Sequence, residues 1–91
     1  MKYDYIKYIP EHIKVQHSEL LHDDEVFGGQ KVVVYFTNML TKATGVAEVP
    51  TYKWIDKGNL SKEDIAFCNK VLHWNVSGFF QNAQDGGMKF A

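Results

Sequence analysis

The chain has 91 residues, 45% hydrophobic, 14% aromatic and 23% charged. That length suits one domain and excludes a two-domain enzyme, and that composition argues against intrinsic disorder. Eleven acidic against ten basic residues leave a formal charge of −1, too little to draw the chain to nucleic acid or an anionic membrane. Every cation is Lys, so the guanidinium fork used for bidentate phosphate and guanine recognition is missing.

From Lys2 to Ile9, Tyr and Ile alternate with charge until Pro10, which predicts a short strand and does not resemble a secretory signal. Glu11 to Leu21 fits either a helix opened by Pro10 or a strand alternating Ile13, Val15 and His17; the strand is preferred. His22 to Gln30 is polar and carries Gly28-Gly29, as a hairpin connection would. Lys31 to Leu40 is dense in β-branched and aromatic residues on both faces, which predicts a central strand covered on both sides. After a polar connection ending at Gly45, Val46 to Ile55 reads as one further strand. Pro50 inside it requires an edge position or a bulge. Asp56 to Asn59 is a turn. Ser61 then caps a helix with Glu63 and Asp64 in its first turn, extending to about Asn82 with Gly78 as a weak point. Gln84 to Ala91 is expected to fray or to add an extended segment. The predicted fold is α+β: a small, mostly antiparallel sheet of three to four strands packed by one long C-terminal helix, residues 1–91 forming a single domain.

Cys68 stands alone, so no internal disulfide can form, and the longest apolar run, Val32 to Phe36, is far short of the roughly 20 residues a membrane span needs. A reducing, cytoplasmic location is the expectation. Gly28-Gly29-Gln30 resembles the tripeptide that class I peptide-chain release factors present at the peptidyl-transferase centre. The resemblance covers three residues, follows three acids rather than a basic surface and leads into a Val-rich strand, so the expected role is a glycine turn.

No catalytic or metal constellation converges. His12, His17 and His22 recur every five residues, a spacing that scatters them on a helix or a strand alike. Cys68, His73 and Asp64 suggest a nucleophilic triad, but five residues advance a helix by about 140°, which separates thiol from imidazole. Asp23-Asp24-Glu25 lacks the alternating ligands of a calcium loop and reads as a solvated acidic loop. The expectation is no cofactor and no metal.

On a helical wheel Ile65, Cys68, Leu72, Val76, Phe79 and Phe80 form one stripe, expected to cover the sheet, while Phe67, Val71, Trp74 and Gly78 form a second sector roughly opposite. One small sheet is expected to have no room for both. The second sector is then covered by another part of the chain (the N-terminal segment, or the tail with Met88 and Phe90), by a second copy in a homodimer through the C-terminal helix, or by another protein. The sequence favours a small non-enzymatic protein-binding module, a regulator, adaptor or inhibitor, with Phe67, Val71, Trp74 and Gly78 as partner-binding residues. One alternative is a small-ligand binder or enzyme with a Tyr/His-lined pocket. Another is a single-stranded nucleic-acid binder stacking bases on Tyr3, Tyr5, Tyr8, Tyr52 and Trp54 among the lysines.

Overall fold

The computed structural model describes residues 2–26 and 28–84. Six strands, β1 (Tyr3–Tyr8), β2 (Ile13–His17), β3 (Leu21–His22), β4 (Gln30–Asn38), β5 (Thr44–Val49) and β6 (Trp54–Asp56), precede one helix, α1 (Lys62–Gln84). The sheet is an antiparallel meander in the order β1-β2-β4-β5-β6, with the short β3 also pairing β4. Along that path each strand lies beside the one before it because the connections between them are short and locally satisfied.

Those connections explain the two strands beyond the three to four expected. Val46 to Ile55 is not one strand but the hairpin β5–β6. A cis Val49-Pro50 bond and a positive φ of 58° at Tyr52 reverse the chain, and the Glu48 amide donates to the Lys53 carbonyl across the turn at 2.9 Å. Proline thus ends the strand instead of bulging it. β3 arises because the chain steps sideways after β2 and then rejoins β4. At the step, the Ser18 amide donates to the Val33 carbonyl and the Val33 amide to the Ser18 hydroxyl, so a side chain stands in for a missing backbone acceptor.

β4 is central in the sheet, and among the described residues only one of its faces is covered by a second layer. Val32, Val34 and Phe36 are fully buried against α1, while Val33 and Tyr35 are half-buried on the outer face. The expectation of a strand covered on both sides is corrected: apolar residues on the outer face need no second layer in an antiparallel sheet.

α1 begins where Ser61 accepts the Asp64 amide at 3.1 Å, the predicted N-cap, and runs unbroken through Gly78 to Gln84. Its first turn is tied to the sheet by the Asn38 side-chain Nδ2, which donates to Asp64 at 3.1 Å, while the Asn38 side-chain Oδ1 accepts from the Leu40 and Thr41 amides. The helix buries Cys68, Val71, Leu72, Phe79 and Ala83 against Ile13, Val15, Val34 and Phe36. A fully buried Leu or Phe contributes about 1.5–3 kcal/mol of transfer free energy. The tail contacts expected of Met88 and Phe90 lie outside the described residues. No described helix is long and apolar enough to cross a membrane.

Candidate interaction surface

The four residues of the second helical sector separate in the structure. Val71 is fully buried in the core. Gly78 lies under Tyr5: a Cβ at that position would run into the Tyr5 hydroxyl. Phe67 is half-buried, meeting Tyr8 edge-on at 5.1 Å between centroids. Trp74 meets Phe67 at 6.2 Å and stays 62% exposed. The expectation that one sheet has no room for both sectors is corrected, because β1 lies outside β2 and carries long tyrosines that reach around the helix.

That reach is fixed by polar atoms. The Tyr5 hydroxyl donates to the Asn75 side-chain oxygen Oδ1 at 3.2 Å, and the Asn75 side-chain Nδ2 donates to the Tyr8 hydroxyl at 3.2 Å and to the Val71 backbone carbonyl at 3.0 Å. One amide therefore joins the helix to both tyrosines. Burial, with Tyr8 close by, raises the Tyr5 hydroxyl above the ordinary phenol range. Tyr5 also packs on Phe79 at 4.6 Å between centroids.

β1 is an edge. Among the described residues it pairs with β2 alone, so its other side presents backbone donors and acceptors in search of a partner. Ile6 and Ile9, 40% and 65% exposed, lie in and just beyond it. Edge, isoleucines, Phe67 and Trp74 occupy the same side of the molecule, since Phe67, Asn75 and Gly78 all meet β1.

The other sequence candidates are dispersed. His12 lies in the β1–β2 turn with φ of 59°. His17 is buried between Tyr3, Tyr5 and Phe79. Its Nδ1 bonds the Ser18 carbonyl oxygen at 2.7 Å, and its Nε2 is buried without a hydrogen-bond partner. His22 pairs with Asp24 at 2.7 Å. Cys68 is enclosed, and burial pushes its thiol up to about 12, with Asp64 adding to the rise. His73 instead stacks on Tyr52 at 3.9 Å and 25°, so thiol and imidazole do not meet. No three His, Cys, Asp or Glu side chains converge among the described residues.

A cleft of about 520 Å³ lies between the β3–β4 loop and the β5–β6 turn. Its centre is Lys31, bonded to Asp23 at 2.9 Å and to Glu48 at 3.3 Å, while Thr51 donates to Glu48 at 3.1 Å. The Lys31 ammonium holds the Asp23 carboxyl below its ordinary range, and the two carboxylates raise Lys31 in turn. Its described lining contains neither Tyr nor His. Gly28 and Gly29, with φ of 89° and 74°, form the turn ahead of β4, where Gln30 pairs with His22. Of the rings considered for base stacking, Tyr3 faces His17, Tyr5 and Tyr8 face the helix, Tyr52 covers His73 and Trp54 packs on Phe36 at 5.6 Å.

The sequence pointed to Phe67 and Trp74 through periodicity, and to the N-terminal segment as one cover for them, but not to Asn75 or to its bonds with Tyr5 and Tyr8, which span 67 to 70 residues. The one available signal was an Asn in the middle of an apolar helical stripe. Comparison with family models, curated proteins and solved structures finds no match for this chain.

Proposed function

We propose that the protein is a non-enzymatic protein-binding module, acting as a regulator, adaptor or inhibitor, that engages its partner along the β1 side of α1. The observation that carries this reading is Trp74, 62% exposed beside a strand edge that pairs with β2 alone among the described residues, on a flank otherwise closed by Phe67, Tyr8 and Tyr5. Exposed Trp is uncommon at free surfaces and enriched among the residues that dominate interface energy. An apolar anchor also suits a chain without Arg, whose interfaces do not have the guanidinium fork at their disposal.

The test is a photo-crosslinking side chain placed at position 74 and, as control, at Ile55 on the far edge of the sheet. Protein adducts from 74 and not from 55, lost when Phe67 is also changed to Lys, are the expected result. Equal labelling from both positions, or none from 74, overturns the reading.

A further inference from the structure

We infer that the partner on this surface is a second copy of the chain, paired antiparallel β1 to β1 about a twofold axis at the Tyr5 bulge; this rests on the protein-binding reading above. Asp4 stands opposite Gln16 and Lys7 opposite Lys14, with the ladder shifting by one residue between Asp4 and Ile6. In a regular strand, residues three apart point to opposite faces and turn their backbone groups to opposite sides. The extra residue cancels that offset. Gln16 and Lys14 are two apart in β2, so Asp4 and Lys7 share one face of the sheet and one hydrogen-bonding phase.

A bulge on an edge strand ordinarily discourages edge-to-edge pairing, as does an edge lysine. Here the two features combine to a different end. A twofold axis through the bulge sets Asp4 against the partner's Lys7 and Lys7 against the partner's Asp4, opposite charges directly across the new ladder, with Tyr3 against the partner's Tyr8. Such an interface is self-complementary, as closed twofold symmetry requires, and directly opposed unlike charges stabilise antiparallel pairs whereas like charges disrupt them. The same axis leaves both helices on one face of a continuous sheet and turns their two exposed Trp74 flanks toward each other. The opposite edge is a poorer candidate: β6 has three residues, and its own register shift falls among them.

Light scattering after size exclusion, over a concentration series of the purified chain, tests the inference. The wild type is expected at twice the chain mass. Asp4→Lys and Lys7→Asp should each weaken self-association by roughly tenfold or more, with unchanged circular dichroism. The double variant Asp4→Lys/Lys7→Asp should restore it. An equimolar mixture of the two single variants should form a heterodimer in native mass spectrometry, because each supplies the charge the other lacks. A monomeric wild type, a dimer indifferent to the single reversals, or single variants that do not combine would each overturn the inference. If the wild type is monomeric yet position 74 still gives a heavier protein adduct, self-pairing fails while the protein-binding reading survives.

Discussion

Two tryptophans stand on opposite flanks of α1. On the β6 side, Trp54 packs on Phe36 at 5.6 Å between centroids, and its indole N–H donates to the Asn69 side chain at 2.8 Å. Gly45 opposite it leaves room for the ring, since a Cβ there would press on Trp54 and Leu60. On the β1 side the equivalent closure is made by Tyr5, Tyr8 and Asn75, and Trp74 stands beyond it, touching the fold through Phe67. Both rings arise from the same compositional surplus. One is placed by a hydrogen bond and a cleared backbone; the other is left outward by a helix whose flank is already covered. An aromatic residue at helical spacing thus becomes available to a partner only after the chain's own edges have been laid against the helix.

The largest effect expected from breaking this comparison is at Trp54. Trp54→Ala removes the ring from Phe36 and leaves the half-buried Asn69 oxygen without its donor, so a loss of about 3 kcal/mol in a urea titration is expected. A loss under about 1 kcal/mol would place Trp54 among surface residues and undo the contrast with Trp74.

A smaller effect follows on the other flank, where Gly78 makes the space that Tyr5 uses. Alanine favours a helix over glycine by about 1 kcal/mol, so a solvent-facing Gly78→Ala would stabilise. Against the Tyr5 hydroxyl the added methyl must displace the ring or break its bond to Asn75, and a net loss of about 1 kcal/mol is expected. In a Tyr5→Phe background the obstructing oxygen is gone and the same substitution should cost distinctly less. Thermal melts of the four-member cycle measure the coupling; additive effects would show that β1 does not close this flank in solution.

How much of this was legible follows from how far each signal had to reach. The Ser61 cap with Glu63 and Asp64, the Gly28-Gly29 turn and the β1 and β4 strands were readable because their determinants lie within a few residues. Pro50 announced a break, but sequence alone did not separate a bulge from the tight reversal that the Glu48–Lys53 hydrogen bond completes. The helical wheel ordered Phe67, Val71, Trp74 and Gly78 correctly around the axis, yet it has no knowledge of the width of the sheet beneath. Val71 was thereby grouped with the exposed Trp74 although it is fully buried. The bulge at Tyr5, which decides both the reach of the tyrosines and the phase of Asp4 and Lys7, depends on the pairing with Val15 and leaves no mark in composition or periodicity.

The smallest effect on stability is expected at Trp74, and it is the most diagnostic. Trp74→Ala removes a ring that is mostly solvated and whose fold contact is the edge-on meeting with Phe67. Such a pair contributes little when one member faces water, so the change should fall within about 0.5 kcal/mol. The urea midpoint and slope should match the wild type while self-association at this flank declines. Because Trp54 remains as the sole tryptophan in that variant, its fluorescence reports folding on the β6 side without interference. A loss from Trp74→Ala as large as that from Trp54→Ala would mean that the ring is part of the monomer core, and the β1 flank would then offer a bare strand edge with no anchor beside it.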